Sequence, residues 1–223
     1  MRNLIHQSKM SGKLDEMYAI NTNTLTNEFC IKQHNAKGKK KAKKRICPEC
    51  YSFKMLGTYR KNAVPAFQRN SDLLSSRTLT HEEIIAFKPK GKLGIYRFDG
   101  HGELINGIHL DNCMMIAEYH PEFVFALWSK RKNLVQEYVR KYGKPDNMVL
   151  VYSNPIIDRV MSTPPEYFDK VFNNISKEYI PTWPLAMRSW RNGKPLENCT
   201  GQQCKDCKLC YTSDEIVIVE KVK

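Results

Sequence analysis

The eight cysteines of this 223-residue chain are the residues most able to do chemistry, and they are not evenly scattered. Four of them fall within the last 25 residues, in the pattern C-x4-C-x2-C-x2-C. A cysteine at every third position lets a short looping backbone wrap an iron–sulfur cubane and offer thiolates to successive irons, as in the C-x2-C-x2-C run of ferredoxins. Structural zinc sites more often use two separate pairs with a longer loop between them. We therefore expect a metal site, an iron–sulfur cluster of the 4Fe-4S type with zinc as the alternative, on Cys199, Cys204, Cys207 and Cys210.

A second set of three cysteines lies near the N-terminus, where Cys30 is followed at a distance by Cys47-Pro48-Glu49-Cys50. The C-x2-C pair is compatible with a redox pair or with half of a zinc site. In two-cluster ferredoxins a remote cysteine followed by proline completes the cluster held by three others, so Cys47 could also serve the C-terminal set. Spacing alone leaves open whether the chain holds one cluster or two. The remaining cysteine, Cys113, lies on an apolar helix face and is expected to pack as a small hydrophobe.

A third candidate group comes directly after a predicted strand and reads Asp-Gly-His-Gly-Glu, residues 99–103. Its two glycines permit close approach of a ligand to the backbone. Asp99, His101 and Glu103 are therefore candidate catalytic residues that would hold a polar substrate or a proton. The alternative is a turn that ends the strand, in which Asp99 only caps the next segment of the chain. The sequence contains no metalloprotease motif, phosphate-binding loop or dinucleotide-binding glycine motif.

Strands and helices that alternate along the chain must position these residues. Apolar runs predict strands at 17–20, 93–98, 123–128, 148–152 and 216–219, and a further strand within 179–187. Helical periodicity predicts helices at 51–76 (broken near Pro65), 107–119, 134–142 and 168–175. The alternation predicts a single α/β domain over residues 1–223, with a partial parallel (β/α) barrel or an open parallel sheet and a C-terminal cysteine-rich segment at 199–211. In either architecture a functional site belongs at the carboxyl ends of the strands.

The formal net charge of +13 is concentrated in a basic loop, residues 31–45, which contains no acidic residue. Its basic residues are Lys32, Lys37, Lys39, Lys40, Lys41, Lys43, Lys44 and Arg45. Like charges at this density repel one another, which favours a solvated arm, and they also attract nucleic-acid phosphates. The competing function is therefore a zinc-stabilised nucleic-acid-binding protein that uses this arm. A third possibility is a structural or host-interaction protein whose metal only stabilises the fold.

The sequence lacks the features of membrane and secreted proteins. No apolar run approaches the ~20 residues of a transmembrane helix, and the first residues lack the apolar stretch of a secretory signal. We expect a cytoplasmic protein without a membrane partner, in a reducing compartment where cysteines bind metal more often than they form disulfides.

Several of these motifs occur together in one order. A first strand, a cysteine loop ending in C-x2-C-Y, the residues DGHGE after a strand, the run FALWSK and a terminal cysteine cluster resemble the gene product eighty-eight family of uncharacterised phage proteins. The similarity extends over about residues 17–211. It implies a phage-type protein of the host cell cytoplasm, and it names neither an electron-transfer partner nor a host target.

Three cysteines after the first strand of a partial α/β barrel also resemble, more distantly, the radical S-adenosylmethionine enzymes, in which three thiolates hold a four-iron cluster. The resemblance implies that Cys30, Cys47 and Cys50 bind such a cluster, that residues 100–103 lie near the cofactor's amino group, and that the reaction is redox or radical chemistry. The family's C-x3-C-x2-C is here C-x16-C-x2-C, and Glu49 replaces an expected aromatic residue. These departures argue against bound S-adenosylmethionine. The expected function is an iron–sulfur protein of radical-SAM-like architecture, with the question of enzymatic activity left open.

Overall fold

The computed structural model describes residues 4–36, 44–179, 190–191, 194–195, 197–212 and 215–222. Within these ranges the strands are β1 (Gln7–Lys9), β2 (Tyr18–Ile20), β3 (Ile95–Phe98), β4 (Val124–Ser129), β5 (Met148–Ser153), β6 (Lys170–Ile175), β7 (Trp190–Arg191), β8 (Lys194–Pro195) and β9 (Val217–Lys221). Seven of them form one sheet in the order β1-β2-β3-β4-β5-β6-β9, and β7 and β8 form a separate hairpin.

The seven-stranded sheet is open. Strand β1 pairs with β2 in the antiparallel direction, and every later pairing in this sheet is parallel. Strands β1 and β9 are its two edges and do not pair with each other, so that the described strands do not close into a barrel. The parallel strands follow one another in chain order, which brings their carboxyl ends, and the loops that leave them, to a single edge of the sheet. The predicted α/β class is confirmed in its open-sheet form.

Helices cover the sheet between the strands. They are α1 (Glu28–Asn35), α2 (Tyr51–Gly57), α3 (Val64–Ser76), α4 (His81–Ala86), α5 (Gly107–Glu118), α6 (Lys132–Tyr142) and α7 (Cys204–Cys207). The helix expected over 51–76 is two helices, and Pro65 lies in the first turn of the second, a position where its missing N–H leaves no hydrogen bond unmade. Among the described residues, no helix is long and apolar enough to span a membrane.

The helix expected at residues 168–175 is wrong, because this segment contains strand β6. Phe168, Val171, Phe172 and Ile175 repeat at the three- and four-residue spacing of a helix. However, β6 lies between β5 and β9, and a strand that is buried on both faces carries apolar residues at any spacing. The strand expected within 179–187 falls almost entirely outside the described residues.

Successive residues of β3 lie on opposite faces of the sheet. Tyr96 and Phe98 are buried in the main core, which they form with residues of helices α3 to α6. Cys113 is buried in this core, as its apolar surroundings predict. Ile95 belongs to a second cluster on the opposite face, here called the inner face, and the alternation of a strand places Arg97 on the same side. Tyr211 of the cysteine-rich segment (residues 199–211) joins this second cluster, so the segment covers part of the inner face.

Candidate functional site

A small cleft, partly open to solvent, lies where the chain leaves strands β2, β3 and β4. Its lining residues are Thr24, Phe29, Cys30, Gln33, Cys47, Cys50, Phe53, Gly102, Glu103 and Lys130. The fold thus brings Cys30 together with Cys47 and Cys50, from which the basic loop separates it in sequence. All three are half-buried and none forms a disulfide. We call this cavity the three-thiol cleft.

Local structure explains how each cysteine reaches the three-thiol cleft. Cys30 lies in the first turn of α1, whose N-cap Asn27 accepts a hydrogen bond from the Cys30 N–H at 3.2 Å and donates one to the carbonyl of Glu103 at 2.9 Å. Cys47 begins a 3₁₀ turn, and Cys50 is the N-cap residue of α2. One side chain fixes this turn against α1, because His34 Nδ1 lies 3.1 Å from the Cys47 carbonyl.

The side chain of Glu103 is held at the cleft wall by three hydrogen bonds. Its Oε1 accepts from the Ser129 hydroxyl at 2.6 Å and from the Leu104 N–H at 3.0 Å, and its Oε2 accepts from the Lys130 N–H at 2.9 Å. The carboxylate therefore ties the loop after β3 to the loop after β4. This arrangement fixes the backbone from which the Lys130 ammonium reaches the thiols.

The charges beside the thiols act in opposite directions, because the Lys130 ammonium favours thiolates and the Glu103 carboxylate disfavours them. Burial alone would lower the pKa of Lys130, but Glu103 and the three thiols outweigh it and raise that pKa, so the ammonium stays charged. Burial raises the pKa values of Cys30 and Cys47; the charge of Glu103 adds to this effect, and the positive charge of Lys130 opposes it. A bound metal requires thiolates, and a nearby ammonium is one of the groups that stabilise them.

Asp99 and His101, predicted near Glu103, are buried beneath the cleft and do not line it. Asp99 adopts a positive φ of 51° and accepts a hydrogen bond from Thr22 Oγ1 at 2.6 Å. Burial raises the pKa of Asp99 to about 8, and the charge of Glu103 adds to this effect. His101 Nδ1 lies 2.9 Å from Ser52 Oγ, and burial lowers its pKa to about 4, so the ring is neutral at neutral pH. Of the three residues, only Glu103 faces the cleft.

The C-terminal cysteines form a second group on the inner face. Cys204 and Cys210 pack against the inner-face cluster, and Cys204 begins α7, a single helical turn that ends at Cys207. Burial, together with the charges of the other three thiols of the segment, raises the pKa of Cys210 to about 12, and the charge of Arg97 opposes this effect. These four thiols therefore occupy one region.

Polar side chains contact the sulfur atoms of this second group. Lys13 Nζ lies 3.6 Å from Cys199 Sγ and also forms an ion pair with Glu220 of strand β9. Gln202 Nε2 donates to Cys207 Sγ at 3.2 Å. Lys13 belongs to the turn between β1 and β2, so this contact joins the two ends of the chain.

The described residues contain no group of three or more histidine, cysteine, aspartate or glutamate side chains arranged to hold a metal ion. Residues 37–43 of the predicted basic arm, which carry five of its eight basic side chains, lie outside the described part of the chain. Lys44 and Arg45 are exposed at its end, and Arg45 NH1 donates to Gln33 Oε1 at 3.1 Å. A comparison with protein-family models, curated proteins and solved structures finds no match to this chain. The resemblances to the phage family and to the radical S-adenosylmethionine enzymes therefore stay predictions.

Sequence reasoning missed Lys130 and the polar residues that support the cleft. Lys130 directly follows Ser129, the last residue of β4, so its position at a strand end was a usable signal. The buried run Asn21, Thr22, Asn23 and Thr24 after β2 was a second signal, because four consecutive buried polar residues need partners. Their partners come from the loop after β3, from α2 and from α3, which only the folded chain brings near.

Proposed function

We propose that this chain is an iron–sulfur protein with two thiolate sites. Cys30, Cys47 and Cys50 would hold one cluster in the three-thiol cleft, and the four cysteines of the cysteine-rich segment would hold another. The observation that carries the proposal is that Cys30 meets the Cys47–Cys50 pair, from which the basic loop separates it in sequence, in a cleft at the carboxyl ends of parallel strands.

The chemistry of the three-thiol cleft supports a bound anionic group. Free cysteines that serve only for packing are typically buried in apolar surroundings, as Cys113 is. Cys30, Cys47 and Cys50 are instead half-buried beside a lysine ammonium and a carboxylate. A cluster bound by three thiolates carries net negative charge, which the ammonium of Lys130 would offset.

The cysteine-rich segment supports a second site of the same kind. Its C-x2-C-x2-C spacing is that of ferredoxin clusters, in which hydrogen bonds to the sulfur atoms tune the reduction potential. Lys13 and Gln202 supply two contacts of this type, to Cys199 and Cys207. Thiols whose sulfur atoms are already contacted by polar side chains fit a bound cluster better than thiols that bind nothing.

When bound, the clusters would supply electron transfer, and a cluster held by only three thiolates leaves one iron free for another ligand. The chain's own contribution at the three-thiol cleft is positional. Glu103 fixes two strand-end loops, and Lys130 places a positive charge beside the thiols. Both side chains face the cavity that a polar substrate would enter.

Cysteine variants test the proposal site by site in protein purified under strict anaerobic conditions. Replacing Cys30, Cys47 and Cys50 with serine should remove about half of the bound iron and sulfide, and so should replacing the four C-terminal cysteines. Cys113→Ala is the matched control and should leave the iron content unchanged. Full iron content in both multiple variants, or zinc in place of iron, would overturn the proposal. Zinc together with salt-sensitive binding to nucleic acid would favour the competing function through the basic arm.

A further inference from the structure

Helix α2 and the turn that follows it, residues 51–61, expose two large aromatic side chains beside the three-thiol cleft. We call these residues the α2 surface. Tyr51 is 56% exposed, and Tyr59, at 71%, is the most exposed large hydrophobic side chain in the described part of the chain. Phe53 is instead half-buried and stacks on His34 with ring centres 4.1 Å apart, so it is not available to a partner. The two tyrosines are available.

Tyr51 is held in one orientation although much of it faces solvent. Its hydroxyl donates a hydrogen bond to the carbonyl of Gly100, and its ring meets His101 edge-on with ring centres 5.5 Å apart. An exposed side chain that is already ordered loses little conformational entropy when a partner covers it. The apolar body of such a ring gains free energy when it is covered, which suits it to an interaction surface.

Positive charge surrounds these rings. Residues 44–62 carry one acidic side chain, Glu49, and five basic ones: Lys44, Arg45, Lys54, Arg60 and Lys61. Within the described ranges none of the five forms an ion pair, whereas the exposed Arg140 of α6 pairs with Glu166. The α2 surface therefore offers its positive charge to an anionic partner.

Exposed rings among basic side chains complement single-stranded nucleic acid. Lysine and arginine bind the phosphates, and unpaired bases stack on aromatic side chains whatever their sequence. An acidic protein would match the charge but offers no bases to stack, and a duplex keeps its bases stacked on one another. Helix α2 has seven residues and is about 10 Å long, so a strand of a few nucleotides can reach from Tyr51 to Tyr59.

We propose that the α2 surface binds single-stranded nucleic acid. Tyr51 and Tyr59 stack on bases, and Lys54 and Lys61 contact phosphates. The inference does not rest on a metal in the three-thiol cleft, and it gives the iron–sulfur protein a partner beside that cleft. It also differs from the competing function, in which the basic arm supplies the binding.

Fluorescence anisotropy tests the surface with labelled oligothymidylate and oligouridylate of about 15 nucleotides, as DNA and RNA probes. Tyr51→Ala and Tyr59→Ala should each weaken binding at least fivefold through lost stacking, and Tyr51→Phe, which keeps the ring, should restore most of the affinity. Tyr142→Ala is the matched control and should bind as the unchanged chain does. Tyr142 is 64% exposed, but its basic neighbours Arg140 and Lys144 are engaged in ion pairs.

Salt dependence tests the phosphate contacts. Lys54→Gln and Lys61→Gln should each reduce the slope of log affinity against log salt concentration by about 0.7, the value for one phosphate of a single strand. A poly-glutamate peptide of similar length is the probe for an acidic protein partner. It should bind at least tenfold more weakly than either oligonucleotide, because it has no rings that stack on the tyrosines.

Three results would overturn the proposal: no saturable binding of either oligonucleotide, unchanged affinity in both Tyr51→Ala and Tyr59→Ala, or poly-glutamate that binds as tightly as the oligonucleotides. Circular dichroism establishes that each variant is folded. The Tyr59 side chain makes no hydrogen bond or ring contact with the described residues, so its removal should leave the fold intact. A chain that binds the oligonucleotides through these rings but holds no iron would overturn the proposed function and leave this inference standing.

Discussion

At the scale of single residues, the loop between β3 and α5 contains close contacts that leave no room for a larger side chain at Gly102. Gly102 has a φ of +106°, and a Cβ at this position would lie 2.0 Å from Thr22 Oγ1 and 2.9 Å from the Thr22 carbonyl oxygen. The glycine therefore allows the segments after β2 and β3 to approach each other. This approach sets the position of Glu103, the next residue, at the wall of the three-thiol cleft.

Gly102→Ala should accordingly destabilise the protein by about 2–4 kcal/mol, through both the positive φ and the contact with Thr22. The matched control is Gly107→Ala at the start of α5, where an added Cβ meets nothing within 4 Å. Urea unfolding of the two variants measures the difference. Equal stability of both variants would show that this loop has room for a side chain at Gly102.

Asp99 gives a second prediction at the residue scale, a dependence of stability on pH. Its pKa is about 8 in the folded state, whereas an aspartate in an unfolded chain has a pKa of about 4. The folded state therefore holds the proton more tightly, so the contribution of Asp99 is fully present below pH 4 and is lost as the pH rises towards 8. Between pH 5 and pH 8 the unchanged protein should lose stability relative to Asp99→Asn. Urea unfolding at these two pH values checks it, and parallel curves for the two proteins would refute it.

At the scale of elements, the N-cap of α1 links secondary structure to the candidate site. Asn27 caps the helix through the Cys30 N–H and also reaches the carbonyl of Glu103. Thr80 caps α4 in a capping box that lies away from the cleft. The two caps thus offer a comparison between a residue that only stabilises a helix and one that also positions a thiol.

Asn27→Ala and Thr80→Ala should each lower the free energy of unfolding by about 1–2 kcal/mol, as is usual for a lost N-cap. Only Asn27→Ala should also lower the iron content of the chain, because it loosens Cys30. Thermal unfolding and iron analysis of the same samples measure both effects. Equal iron content in the two variants would mean that α1 does not need its cap to place the ligand.

Some strands and helices of this fold can be predicted from the sequence alone, and others cannot. The strands at β3, β4 and β5 and the helices α5 and α6 are predictable because continuous apolar runs and amphipathic spacing are local signals. Strand β6 is not predictable in this way, because the spacing of its apolar residues also fits a helix. Its pairing with β5 and β9 makes this segment a strand. The cysteines could be named from their spacing, whereas Lys130 and the burial of His101 depend on contacts between distant loops.

At the scale of the whole molecule, the two ends of the chain meet at the C-terminal thiols. Lys13, from the turn between β1 and β2, contacts both Cys199 and Glu220 of the last strand. Lys205 of α7 forms a second link, with Glu16. The open sheet therefore has its first and last parts joined by side chains rather than by strand pairing.

Lys13→Gln should shift the reduction potential of the proposed C-terminal cluster to a more negative value, because a positive charge near a thiolate favours the more negative reduced state. Lys205→Gln, which breaks the exposed link to Glu16, is the matched control and should leave the potential nearly unchanged. Redox titration followed by electron paramagnetic resonance measures both. An unchanged reduction potential in Lys13→Gln would show that the charge of Lys13 does not act on a cluster at these thiols.

The central claim, that both cysteine groups hold iron–sulfur clusters, is tested most directly by metal analysis of the unchanged chain. Protein kept anaerobic throughout would be assayed for iron, acid-labile sulfide and zinc per chain, together with its visible absorption spectrum. Two four-iron clusters predict about eight irons and eight sulfides per chain, little zinc and a broad absorption band near ~400 nm. About four irons would restrict the claim to one site. Zinc without iron or sulfide would contradict it.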